Sequence, residues 1–226
     1  MDRSLPNSWA LGNDQVKYYE LLKFPPFLMK KPALLIIDPS PAYFSPSSPL
    51  SFSTGTSATT TSAIKELLQA SREGKVPIIW SQVQYTHPQM RDAGLLSKKM
   101  AGLEVFSASN ANSAPLWLPE LSPEVQERGE ITLFRKFPSV FFGTNFATQL
   151  HALNVDTLVI CGACTSGSVR ATTLDAMQSG FRAMVVREGC IDRTREIHFA
   201  NLFDLDAKYG DVVCSEEAME KLRSGW

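Results

Sequence analysis

The run 157–186, TLVICGACTSGSVRATTLDAMQSGFRAMVV, constrains the possible folds of this chain more than any other stretch. TLVIC is a short β-branched run suited to a strand buried on both faces, and 162–167 holds only small residues, through which a backbone can turn sharply. A helix is expected to begin at about Gly167 or Ser168, with a second apolar strand after it. A helix start just past the carboxyl end of a strand points unpaired N–H groups and a positive dipole end into the crevice where open α/β sheets bind ligands. A nucleophile or an oxyanion site suits that place, and so does a plain crossover in which Ser168 only caps the helix.

The rest of the chain repeats the alternation. PALLIID (32–38), KVPIIWSQVQY (75–85), 131–135 and DVVCS (211–215) read as strands, and 60–73, the segment from about 144, 193–208 and the last eleven residues read as helices. Counting the two strands of the central run, about six strands alternate with helices. This predicts an α/β fold of three αβα layers around a mainly parallel, doubly wound sheet. Residues 1–31 carry Trp9, Tyr18, Tyr19, Phe24 and Phe27 and are expected to form an arm packed on the body or on a neighbouring subunit, with 32–226 as one domain. A chain of 226 residues buries enough surface for a single core without staples.

A formal charge of −1 spread along the chain offers no electrostatic case for nucleic acid or a membrane surface, so a small-molecule partner is expected. Cys161, Cys164, Cys190 and Cys214 form no disulfide framework and read as reduced thiols. With no membrane span or signal peptide in view, the expected compartment is the cytoplasm. His87, His151 and His198 are far apart and lack metal-ligand spacing, so neither a metal nor another cofactor is expected, although His87 alone would serve as a ligand or a base. The first strand is followed by DPSPAYF in place of a GxGxxG turn, which argues against a nucleotide-binding Rossmann domain.

Three strand ends bring chemistry to the mouth of the sheet. Asp38 ends the first strand and either caps the next loop or acts in catalysis. Arg135 and Lys136 end another, where a cation would orient a substrate or Asp38, or merely snorkel. Phe137, Phe141 and Phe142 are pocket wall or core. The loops 39–56 and 84–120 show no periodicity, and loops of such length in a compact domain are usually functional.

With Asp38, Lys136 and the 162–168 turn on three strand ends, the chain resembles the isochorismatase-like cysteine hydrolases over about 32–215. Three motifs carry the resemblance: LLIIDPSPAYFSPSSPL, RKFPSVFFGTNFATQL and ICGACTSGSVRATTLDAMQSGFRAMVVREGCIDR. Their wording is nearest to the N-carbamoylsarcosine and biuret amidase branch. The resemblance implies an amidohydrolase acting on a small amide or carbamoyl compound, without metal, in a homo-oligomer. It implies that a thiolate attacks an amide carbonyl, that Asp38 moves the proton to leaving ammonia, and that Lys136 holds Asp38 and the transition state. The N–H groups of Cys164 and Ser168 would form the oxyanion hole, with a cis peptide between Ala163 and Cys164. Tyr43, Gln84, Phe141 and Thr165 are the expected substrate contacts.

Two departures accompany the resemblance. Ser168 stands where the family has its nucleophilic Cys, through either a deliberate replacement that leaves a binding-competent, inactive protein or a natural variant that binds or transforms a ligand without acyl-enzyme chemistry. The family also places its Lys four residues before the Ser of a SAF-like motif, and that spacing reaches Arg135, whereas Lys136 is three before Ser139. Adjacent strand residues face opposite sides, so only one can enter the site. Lys136 is the expectation, and Arg135 its rival.

Overall fold

The computed structural model describes residues 30–52, 57–110 and 113–225. The sheet has six strands, β1 Pro32–Ile37, β2 Ile78–Val83, β3 Ile131–Arg135, β4 Thr157–Ala163, β5 Arg182–Ile191 and β6 Asp211–Val213, in the order β3-β2-β1-β4-β5-β6. Every pairing is parallel. The expected doubly wound α/β architecture is therefore present. Its central strands are buried on both faces because helices cover both sides: all six residues of β1 and all seven of β4 are buried.

Helices α1 Ser57–Glu73 and α5 Ser215–Ser224 lie together on one face, where Ile64, Leu67 and Leu222 meet Leu34, Ile36 and Trp80. On the other face α2 Phe146–Ala152, α3 Arg170–Gln178 and α4 Arg195–Lys208 bring Phe146, Ala176 and Leu202 onto Ala33, Leu35 and Leu158. Strand alternation explains the split, since odd and even positions of β1 feed different cores.

The chain runs outward from β1 through β2 to β3, returns to the middle, and runs outward again from β4. The order thus reverses between β1 and β4, and in such sheets the crevice beyond that switch point holds the ligand. Gly162 makes the close approach of these strands workable. Its φ of +119° is unfavourable to any side chain, and an added Cβ would sit 1.9 Å from the carbonyl oxygen of Ile37. Beyond β2 the chain passes through short helical turns at Pro88–Ala93, Leu96–Lys99 and Ala101–Phe106, so the long loop expected there carries local structure.

The expected N-terminal arm falls on residues 1–29, outside the described residues. All four cysteines are free thiols. Among the described residues no helix is long and apolar enough to cross a membrane.

Candidate active site

Asp38 is the first residue after β1, fully buried, with its N–H donating to the Ser81 carbonyl at 2.8 Å and φ at +47°. That left-handed conformation is uncommon outside glycine, Asn and Asp. Its carboxylate is held from two directions: Oδ1 accepts the Val83 N–H at 2.9 Å, and Oδ2 pairs with Arg135. Arg135 is the last residue of β3 and is 1% exposed. Its guanidinium crosses the end of β2 to reach β1, donating from Nε to Ser81 Oγ at 3.1 Å and from another nitrogen to the Phe137 carbonyl at 3.0 Å. A planar fork of donors suits three acceptors spread around one buried point, a task that a single ammonium does less well.

The expectation that Lys136 faces Asp38 is corrected by this geometry. Lys136 points the other way, as alternation along the strand requires once Arg135 turns inward. Its Nζ donates to the Gln84 carbonyl at 2.6 Å and to Thr86 Oγ1 at 3.1 Å, and pairs with Asp92 at 2.8 Å. Burial pushes Asp92 upward, but the Lys136 bond and the N–H groups of Thr86 and His87 outweigh it and hold that carboxyl at about 2. Lys136 therefore ties down the loop after β2.

The turn after β4 begins with a cis peptide between Ala163 and Cys164, as the resemblance implied. A π-helical turn, Thr165–Val169, follows, in which the N–H groups of Gly167 and Val169 share the Cys164 carbonyl at 3.1 Å each, and the α-helix proper starts at Arg170. Neighbouring elements pin this turn. Ser166 N–H donates to Asp192 at 2.6 Å, and Thr165 Oγ1 donates to the Ile191 carbonyl at 3.2 Å. Because that hydroxyl proton is committed to a carbonyl, the 2.8 Å contact between Thr165 Oγ1 and His198 Nδ1 assigns the hydrogen to Nδ1. Burial pulls His198 down to about 4, against the opposing pull of Asp192.

Ser168 lies inside this turn, buried, with its hydroxyl toward the Asp38 carboxylate. Burial raises the pKa of Asp38, while Arg135, the Val83 N–H and the Ser168 hydroxyl counter part of that rise. The group is thus better matched to proton transfer near neutral pH than an exposed carboxylate. Cys164 is pushed up to about 11 by burial and by Asp192, which keeps it a thiol. The Ser168 backbone N–H lies against its sulfur, so one of the two expected oxyanion donors already faces a soft acceptor.

Of the four expected substrate contacts, Tyr43 lies beside the site. Its ring stacks on Phe52 at 5.1 Å and tilts against Phe106 at 5.5 Å; burial, then the charge of Asp38, raises its phenol. Gln84 is half-buried, its backbone N–H and carbonyl engaged by the Arg135 carbonyl and Lys136. Phe141 packs away on Phe146 and Phe181 in the α2/α3 core, and Thr165 spends its hydroxyl on the Ile191 carbonyl. His87 is exposed, its Nδ1 2.6 Å from the Pro88 carbonyl. Ser81, the Val83 N–H, Asp192 and the contact of His198 were not foreseen from the sequence; the polar pair Ser81 and Gln82 within the apolar run of β2 was the available signal. Among the described residues no group of three His, Cys, Asp or Glu side chains is placed to hold a metal ion.

Comparison with known proteins gives the family. Residues 32–217 match the family model of the isochorismatase domain. The chain is 39% identical over 194 residues to a maleamate amidohydrolase of Pseudomonas putida, covering 86% of this chain and 88% of that protein. It is 28% identical to an N-carbamoylsarcosine amidase of Arthrobacter, covering 85% and 71% respectively. A crystal structure of a cysteine hydrolase from Pseudomonas syringae superposes with a TM-score of 0.77 at 19% identity, covering 90% of this chain and all of that one, which speaks for the fold alone.

Proposed function

This chain belongs to the isochorismatase family, and on that premise we propose that its site at Asp38, Arg135 and Ser168 takes a small carbamoyl or carboxamide compound and acts on its C–N bond, with little or no turnover while position 168 holds an alcohol. The observation that carries the reading is the Ser168 hydroxyl turned toward a buried, Arg-paired Asp38 at the switch point of the sheet. In the reaction the nucleophile on residue 168 attacks the carbonyl carbon as Asp38 takes its proton. The C–N bond breaks as Asp38 returns that proton to departing ammonia, and water releases the acyl group. Arg135 holds the Asp38 carboxylate in place. A serine is a far weaker acid than a thiol and has no dedicated histidine base here, so the first step is the slow one.

Replacing Ser168 by Cys tests this directly. With a panel including maleamate, N-carbamoylsarcosine and simple ureides, Ser168→Cys is expected to raise ammonia release well above that of the unchanged protein. A folded Ser168→Cys protein that releases none from any compound counts against the reading.

A second reading is a natural family member that binds a small ligand without hydrolysing it. One observation favours it: Arg135, which faces Asp38, sits at the spacing where the family has Lys, so two of the three reacting positions depart together. Ligand binding without ammonia release after Ser168→Cys would select this reading, and the source gene at codon 168 separates a deliberate change from a native serine. Cytoplasmic location and a homo-oligomeric state belong to the same proposal.

A further inference from the structure

The stretch that leaves the carboxyl end of β2 carries three buried polar atoms with no hydrogen-bond partner among the described residues: Gln82 Oε1, Tyr85 Oη and Asp92 Oδ1. Gln149 of α2 carries one more, at Oε1. Native proteins leave few buried polar groups unpaired. Of these atoms, Tyr85 Oη lies within electrostatic reach of both Asp38 and Arg135, and a buried donor there calls for an acceptor.

Tyr85 presents this most sharply. It is 0% exposed and packs with Ala42, Met90 and Phe106, with Tyr43 against the same cluster. It follows by two residues Val83, whose N–H binds Asp38. Its own backbone is fixed by the Phe106 carbonyl at 2.9 Å and the Ala108 N–H at 2.8 Å. The hydroxyl lies within the fields of Arg135, Asp38 and Asp92, and burial holds it protonated, at about 12. A neutral phenol there is a hydrogen-bond donor without an acceptor.

We propose that Tyr85 Oη donates to an oxygen atom on the bound ligand, at the end remote from the C–N bond, and so selects compounds with an oxygen acceptor beyond the amide. The inference rests on the amide-binding reading of the site. It favours a carbonyl, carboxylate or hydroxyl tail over an alkyl tail or an ammonium group, which has no acceptor to offer. Tyr85 packs with Ala42, Met90 and Phe106 and its hydroxyl is shielded from solvent, so bulk water does not compete for its proton.

Tyr85→Phe tests it in the Ser168 protein, by calorimetric titration with maleamate, N-carbamoylsarcosine and butanamide, the last having no oxygen beyond its amide. The expected result is a roughly 3- to 30-fold weaker affinity for the oxygenated probe that binds, unchanged affinity for butanamide, and a melting temperature equal to or above that of the parent, because an unpaired buried hydroxyl has been removed. Equal losses for all probes, no loss for the oxygenated ones, or a lower melting temperature with binding retained overturns it. If the unchanged protein binds butanamide but neither oxygenated probe, the Tyr85 assignment falls alone. If it binds none of the three, the amide-binding reading falls with it.

Discussion

Arg135→Met removes the cation from the buried pair while keeping much of its volume, and the structure sets how large the effect should be. The side chain gives up three donors at once, to Asp38, to Ser81 at 3.1 Å and to Phe137 at 3.0 Å, and Asp38, fully buried, keeps only the Val83 N–H and the Ser168 hydroxyl. Removing one member of such a pair typically costs about 3–5 kcal/mol, because the remaining charge has no water to return to. Lys136→Met is the control. That ion pair with Asp92 is partly exposed and should contribute at most about 1 kcal/mol. The pH dependence has a definite sign. Asp38 already has a raised pKa in the folded protein, and losing Arg135 raises it further, so the native state of the variant binds more protons than the unfolded chain above pH 3.8. Its stability therefore falls as pH rises from there, and the deficit relative to the parent is largest near pH 8 and shrinks toward pH 5. Urea unfolding at both pH values measures this, and Asp38→Asn combined with Arg135→Met should cost less than the sum of the single changes, by about 1–3 kcal/mol. An Arg135→Met effect below about 1 kcal/mol, or one equal at both pH values, or one matched by Lys136→Met, refutes the argument.

Two further outcomes follow from the turn and its supports. Gly162→Ala places a Cβ 1.9 Å from the Ile37 carbonyl at a φ of +119°, and should lower stability by more than about 4 kcal/mol or prevent folding, as read by circular dichroism and melting temperature. His198 is held neutral, at about 4 against a usual 6.5, so the unfolded chain takes up its proton first and stability falls as pH drops through that window. The loss between pH 8 and pH 5 should be about 2 kcal/mol, and His198→Asn should flatten that part of the profile in urea titrations.

Much of the site was legible because strands and turns write themselves locally. PALLIID announced a buried strand ending on a carboxylate, and the structure puts Asp38 there, one residue past β1. The small-residue run 162–167 announced a sharp turn at the end of β4, and an α-helix follows from Arg170, slightly later than expected because a π-turn intervenes. Arg135 and Lys136 were harder. Periodicity says that the two face opposite ways but not which faces inward, because that depends on where β3 lies relative to β2 and β1. Phe141 was equally undecided between pocket and core until the position of α2 placed it against Phe146.

By itself the sequence determined the alternation of strands and helices, the family, the three segments that carry chemistry, and the serine at position 168. These are properties of short stretches, set by side-chain period, small residues and motif. Only the tertiary structure decided the strand order that brings Asp38 and the 163–168 turn to one crevice, the choice of Arg135 over Lys136, and the commitment of Thr165 to His198 and Ile191. It also revealed Tyr85 Oη without a partner among the described residues. Each of these depends on which groups meet across a long sequence separation inside a water-free core, where a polar atom must find its partner in space because solvent cannot supply one.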